Sequence, residues 1–427
     1  MLEAALSRSL AAVEPPLRVA LSRALDGEEI GGEAALRVAT ARGFELGVVA
    51  EVADELRRRQ AGDVVTYVVN RNINFTNVCI KHCTFCAFSR DHRAEQGYLL
   101  PVGEVVRRAR EAWDYGATEV CIQAGLPPKM DGWLYVDVCK AIKKELPEIH
   151  IHAFSPEEVL YGSVRAGVTI PTYLKALKEA GLDTLPGTSA EILVQEVRDR
   201  IAPGRITRDQ WIEVITSAHE LGIRTTSTIM YGHIERPEHW IEHLTLLRAL
   251  QRQTGGFTEF VPLSFIHQEA PMTFRHLVPE ARRGAEAAEV VAMHALARIM
   301  LGASFRNVQT SWVKEGPRFS AYLLGAGCND VGGTLINESI STSAGASYGQ
   351  LQSPKRLRAL IRETGRLPAE RSTLYSIRRL FDDGDDPETA LDRVTDSDAV
   401  FGSYRRLIES DTFRFEHPAY RRAAGEN

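Results

Sequence analysis

From residue 64 onward the chain alternates between two textures. Short runs rich in Val, Ile, Thr, Tyr and Phe give way to longer stretches whose apolar positions recur every three to four residues. The first texture suits a pleated, buried surface; the second places apolar side chains along one helical face. Eight strands are expected, at 64–75, 118–123, 150–154, 184–188, 225–231, 259–265, 306–311 and 330–335. Helices are expected between them, among others at 102–115, 136–145, 207–221 and 285–301. Strands that alternate with helices form βα units and a parallel sheet. Eight such units over roughly 250 residues match the size of a TIM barrel. The expected fold class is therefore α/β, a TIM-type (β/α) barrel; periodicity leaves an open doubly wound sheet as the alternative.

The flanks differ from this middle. Residues 1–60 are Ala-rich with Arg and Glu, carry apolar positions at helical spacing, and are punctuated by Pro15-Pro16 and Gly31-Gly32. They are expected to form an N-terminal helical cap, with the barrel over 61–349. Residues 350–427 are charged, are broken at 382–386 and at His417-Pro418, and are expected to form a C-terminal helical extension.

Composition changes this picture little. The chain is 44% hydrophobic and 25% charged, ordinary for a globular protein. Its 51 basic and 56 acidic residues give a net charge of −5, which points to neither a nucleic-acid nor a membrane surface. Residues 1–13 hold no basic start followed by an apolar run, and no apolar run of membrane-spanning length is expected. The expected location is the cytoplasm, a reducing compartment that keeps thiols free.

Cysteine placement does change it. Three of the six cysteines, Cys79, Cys83 and Cys86, fall in a C-x3-C-x2-C pattern directly after the first strand. In a (β/α) barrel, loops following strands form the functional mouth. Clustered thiolates are ligands for a soft metal centre. A structural zinc site closes with four protein ligands, and an ordinary iron–sulfur carrier uses four cysteines. Three leave one iron of a cube open to a ligand that is not protein. The competing reading is a zinc-stabilised binding protein without catalytic activity, with His82 or His92 as fourth ligand. Cys121, Cys139 and Cys328 have no partner spacing and read as small buried hydrophobes.

Other candidates follow later strands. Gln123-Ala124-Gly125 is a small turn that lets backbone approach a ligand. Alternation puts His150 and His152 on one face of the third strand. Thr188 and Glu191 form a helix-capping pattern. Glycines and polar residues recur over 325–341, including Asn337 and Glu338, where a polar heterocycle could be matched donor to acceptor.

The cysteine loop, with Phe85 before the third cysteine, resembles that of the radical S-adenosylmethionine enzymes. The wider string 70–90 resembles the branch that makes deazaflavin and menaquinone precursors. That branch holds the tyrosine 4-hydroxybenzyl-transferring subunit of FO synthase, in coenzyme F420 biosynthesis, and the aminofutalosine synthases. Segments 152–156, 232–235 and 337–340 are more similar to the FO-synthase subunit; an aminofutalosine-synthase-like activity is the alternative.

The resemblance implies one 4Fe-4S cluster on Cys79, Cys83 and Cys86, with S-adenosylmethionine at the open iron. Gln123 and Gly125 match the turn that holds its amino group, although Ala124 stands where relatives usually have glycine. By the same resemblance Phe85, Ser155, Thr188, Glu191, Met230, Gly232 and Pro262 lie on the cofactor side. Gly232 and Glu235 match a family element beside the adenine, from which Thr228 and Met230 depart. His152, Asn337 and Glu338 are then the candidates for substrate contact. The implied reaction breaks the Cα–Cβ bond of L-tyrosine and adds the hydroxybenzyl fragment to C5 of 5-amino-6-(D-ribitylamino)uracil. It implies a one-electron donor and, since no second cysteine triad occurs, a separate ring-closing FO synthase subunit.

Overall fold

The computed structural model describes residues 2–382 and 384–417. Met1, Asp383 and residues 418–427, and with them the ends of both expected extensions and part of the His417-Pro418 break, lie outside the described residues. The N-terminal segment is helical as its spacing predicts: α1 (Leu2–Ala11), α2 (Pro15–Leu25), α3 (Gly32–Ala39) and α4 (Gly43–Ala61). Gly62, at φ +67°, ends α4 in a conformation that favours glycine and turns the chain into the barrel.

The expected first strand is split. β1 (Val64–Val68) and β2 (Asn70–Ile73) enter different sheets, because the hydrogen-bond partners change around Val69. Thr334 N donates to Val68 O, whereas Thr118 N donates to Val69 O. β2 then begins a parallel sheet with β3 (Glu119–Ile122), β4 (His150–Ala153), β5 (Thr184–Leu185), β6 (Arg224–Tyr231) and β7 (Phe257–Ser264), paired in that order. β5 stops early because Pro186 offers no N–H to a ladder. The strand expected at 306–311 is reduced to bridges: Gln309 N donates to Phe260 O, and Thr310 N to Asp330 O. These bonds link β7 to β8 (Asp330–Gly333), which pairs with β1, so the sheet curls back on itself as a TIM-type barrel.

The tail departs from expectation. After the helix Pro354–Glu363 it forms a hairpin of β9 (Leu367–Arg371) and β10 (Ile377–Leu380), with β9 parallel to β1. Its charged sequence hides this strand, which exists because β1 leaves an edge free on that side. The hairpin turn reaches across the N-terminal end of the barrel. Arg371 donates to both oxygens of Asp330, lies 3.9 Å from Glu259, and stacks over the Tyr375 ring at 4.0 Å. Tyr375 donates to Glu259, and Thr373 Oγ1 donates to Glu119 at 2.6 Å. Burial pushes the Glu259 carboxyl up and Arg371 pulls it back.

One further expectation is corrected. The segment Ala287–Ser304 is long and apolar enough to cross a membrane by length and composition, yet 67% of it is buried inside the fold, where its helix packs on α4. An apolar run of that kind is also what a core helix needs.

Removing one member of a buried ion pair typically costs about 3–5 kcal/mol. Arg371→Met, which strands Asp330 and Glu259 without their cation, is therefore expected to lower the urea unfolding midpoint substantially. An unchanged midpoint would mean that the hairpin is not held by this pair.

Candidate active site

The cysteine loop leaves β2 and is fastened on both sides. Gly125 N donates to Thr76 O at 2.8 Å and Ile80 N to Leu126 O at 2.9 Å, which joins the loop to the turn after β3. A Cβ on Gly125 would lie 2.3 Å from Val78 O, so this approach requires glycine. Cys79 N donates to Arg90 O and Arg90 N to Asn77 O, closing the loop on itself. Thr84 N donates to Ile201 O, anchoring its far side.

The three thiols are free and line one cavity at the C-terminal mouth. Burial pushes the Cys79 thiol up and the Cys83 thiol up to about 12, with Arg205 acting against the rise at Cys83. Buried thiols of this kind ionise when a metal supplies the charge. Among the described residues, no group of three or more His, Cys, Asp or Glu is arranged around a single ion. A cube takes its thiolates on separate irons, so this donor set fits a cluster better than a zinc ion. Neither His82 nor His92 lines the cavity.

The wall beside the thiols is charged. Arg205 pairs with Glu191 at 2.9 Å, lies 3.5 Å from Glu157 and from Cys83 Sγ, and sits over the Phe85 ring at 5.5 Å. No motif in the sequence singled Arg205 out. Ser155 caps the helix Pro156–Ala166, where Glu158 accepts from Ser155 N, Ser155 Oγ and Ala124 N at 2.6–3.0 Å. Burial raises Glu158 to about 7. Phe85, Gln123, Gly125, Ser155, Thr188, Glu191 and Met230 all line this cavity. Gly232 and Pro262 do not. Gly232, at φ +90°, turns the chain against Ala285 and donates to Glu235; Pro262 faces away while Val261 and Leu263 face the barrel interior.

A second cavity occupies the barrel interior and shares Gln123, Thr188, Leu263, Lys314 and Ile340 with the first. Alternate positions of the β2 segment put Asn70, Asn72 and Asn74 on its wall. Asn72 Oδ1, Asn74 Oδ1 and Thr188 Oγ1 are buried there without a protein partner. Such groups are ordinarily satisfied by a ligand or water. His152 lines this cavity; its Nδ1 lies 2.7 Å from Thr184 Oγ1, which also meets His150 Nε2 at 2.8 Å. Glu338 lines it too, although its carboxylate accepts from Ser341 N and Thr342 N. Asn337 lines neither cavity. Its carboxamide accepts from Arg71 and donates to Gly402 O at 2.7 Å, tying the tail to the barrel, so the expected substrate contact is corrected to a structural bond.

A parallel barrel with three thiols at its C-terminal mouth defines a radical S-adenosylmethionine fold, and the comparisons agree. A model of the radical SAM superfamily matches residues 73–247, and one described as the CofH/MqnC C-terminal region matches 254–383. The chain is 48% identical over 328 residues to the 5-amino-6-(D-ribitylamino)uracil–L-tyrosine 4-hydroxyphenyl transferase of Methanocaldococcus jannaschii, covering 76% of this chain and 90% of that protein. It is 47% identical over 364 residues to the FO synthase of Streptomyces avermitilis, covering 85% of this chain and 42% of that protein. The chain thus spans less than half the length of the FO synthases it matches. The chain belongs to the family that these two proteins represent within the radical SAM superfamily. Solved structures agree on the fold alone. The FeFe-hydrogenase maturase HydG from Carboxydothermus hydrogenoformans aligns over 88% of this chain and 84% of its own at TM-score 0.66 and 15% identity. Methylornithine synthase (PylB) aligns over 82% of this chain and 97% of its own at TM-score 0.65 and 17% identity.

Burial lowers the His152 pKa from its ordinary value to about 4. A base held neutral by the fold binds fewer protons than in the unfolded chain, so this group withdraws stability as pH falls from about 6.5 to about 4. The ring signals of His152 in a histidine-labelled sample are expected to stay constant from pH 8 to pH 5.5. Titration near pH 6.5 would show an imidazole open to solvent.

Proposed function

We propose that the protein is a radical S-adenosylmethionine transferase that cleaves L-tyrosine and joins its 4-hydroxybenzyl fragment to 5-amino-6-(D-ribitylamino)uracil, in FO biosynthesis. The observation that carries this reading is the pair of joined cavities. One holds three thiols and a charged wall, and the other is a polar barrel interior with unsatisfied amide and hydroxyl oxygens. The name of the Methanocaldococcus jannaschii relative supplies the two substrates.

In this reading Cys79, Cys83 and Cys86 hold a 4Fe-4S cluster with one iron open to S-adenosylmethionine. When bound, the pair supplies a primary carbon radical upon one-electron reduction. The chain's own residues bind and orient. Gln123 and Gly125 present the turn after β3 to the cofactor, with Phe85, Thr188, Glu191 and Met230 around it. Ser155 acts less directly, by fixing Glu158 and through it the backbone of Ala124. Asn72 and Asn74 offer acceptors to the N–H groups of the diaminouracil or the hydroxyls of its ribityl chain. His152, neutral and bonded to Thr184, adds a polar contact deeper in the barrel. Glu338 shapes the same wall while capping the turn that follows it.

The barrel interior also excludes water, which a carbon radical requires to reach only its intended hydrogen. The hairpin seal at the N-terminal end serves that purpose. The electron donor is a separate protein, and the reaction takes place in the cytoplasm, where thiols stay reduced. Ring closure is assigned to a further cysteine triad outside these 427 residues.

Anaerobically reconstituted and reduced protein, given S-adenosylmethionine, L-tyrosine and the diaminouracil, is expected to yield the mass of the coupled product together with 5′-deoxyadenosine. Cys83→Ala is expected to abolish both. A product that forms instead from an enolpyruvyl benzoate and not from tyrosine would move the protein to the aminofutalosine synthases.

A further inference from the structure

Lys314 lies on the short helix Trp312–Glu315, in the segment that follows the bridges at Val308 and Gln309. Its position is set by its neighbour: the Trp312 indole is fully buried and donates to Gly333 O at 2.8 Å. Lys314 lines both cavities, on the wall they share. Among the described residues, its ammonium has no hydrogen-bond or ion-pair partner. Glu338, Glu315 and Glu191 act on it electrostatically from nearby, and burial lowers its pKa.

The other charges of the barrel interior are occupied. Arg371, the second cation lining that interior, is taken by Asp330 and Glu259. Glu119 accepts from Asn70 and Thr373, Glu259 from Tyr375, and Glu338 from the backbone after it. In the other cavity Arg205 is taken by Glu191 and Glu157. An ammonium removed from bulk water without a partner is costly, and an incoming anion removes that cost.

Of the two substrates in the proposed reaction, the uracil presents amide, amine and hydroxyl groups, whereas tyrosine presents a carboxylate. S-adenosylmethionine also carries an α-carboxylate, so the chemistry has two sources. One observation favours tyrosine: Lys314 also lines the barrel interior, beyond the cysteine-side cavity that would hold the cofactor. We infer that Lys314 binds the α-carboxylate of the amino-acid substrate and so holds that substrate at the junction of the two cavities. This rests on the tyrosine reading of the site. The contact would fix the amino-acid end of the substrate beside the cofactor and leave the phenol ring to extend into the interior.

The test is equilibrium binding to the anaerobically reconstituted protein with S-adenosylmethionine present and no reductant, so that nothing turns over. L-tyrosine is compared with tyramine, which keeps the phenol and the amine but lacks the carboxylate. A charge-assisted hydrogen bond of this kind is worth roughly ten- to a hundredfold in affinity. The native protein is expected to prefer tyrosine by that factor. Lys314→Met is expected to erase the preference while leaving the affinities for tyramine and S-adenosylmethionine within about twofold, and Lys314→Arg to retain most of it. An unaltered thermal melt of Lys314→Met shows that the fold survives, and the comparison in the native protein needs no variant. The inference is overturned if the native protein does not discriminate, or if Lys314→Met keeps the preference. It is also overturned if that variant loses S-adenosylmethionine affinity alone, which would assign the carboxylate to the cofactor. Native protein that binds neither tyrosine nor tyramine would instead count against the tyrosine reading itself, and the role of Lys314 would fall with it.

Discussion

A glycine with no room for a side chain holds the site together. Gly125 donates to Thr76 O and passes so near Val78 O that a single methyl would collide with it. Through that contact the turn after β3 and the loop after β2 become one rigid body, and the loop carries all three clustered thiols. The backbone of Ala124, next to it, is held by Glu158, which also fixes Ser155 at the end of β4. Three successive strand ends are therefore coupled, the first two through backbone hydrogen bonds and the third through the buried Glu158 carboxylate. Precise placement of this kind is what a reaction dependent on orientation needs.

The two ends of the barrel divide the work. At the C-terminal end the strands open into loops that line the thiol cavity, as the architecture dictates. At the N-terminal end a hairpin from the tail inserts Arg371, Thr373 and Tyr375 among the first residues of several strands. Those strand starts carry Glu119, Thr184, Glu259 and Asp330, buried acids and hydroxyls that an aqueous mouth would leave solvated. The hairpin satisfies the three acids, while Thr184 meets His150 and His152, and it closes the interior in the same step. Buried ionic groups are poor evidence for stability as such; here their effect is to fix where the tail docks.

The chemistry-bearing loop was legible because thiol spacing is local: three cysteines within eight residues declare themselves without any tertiary information. The βα alternation was legible for the same reason, and most strand positions fall where the periodicity puts them. What could not be read is what depends on partners distant in sequence. The break at Val69 arises because Thr118 and Thr334 compete for adjacent carbonyls. The strand at Leu367–Arg371 exists only because β1 has a free edge. Asn337 has the character of a substrate contact in the sequence but is consumed by Arg71 and Gly402. Gly232 and Pro262 belong to the right strands yet face away from the cavities. Lys314 and Arg205 carry no local signature. The alternation of Asn70, Asn72 and Asn74 did carry one, since polar residues at every second position mark a polar inner face.

The claim on which all of this turns is that the polypeptide supplies three ligands to a four-iron cluster and leaves one iron for the cofactor. Mössbauer spectroscopy of protein reconstituted with 57Fe, recorded before and after addition of S-adenosylmethionine, tests it directly. Three protein ligands require that one iron in four change its spectrum when the cofactor binds while the other three stay as they were. Absence of iron, or four irons that ignore the cofactor, would contradict it.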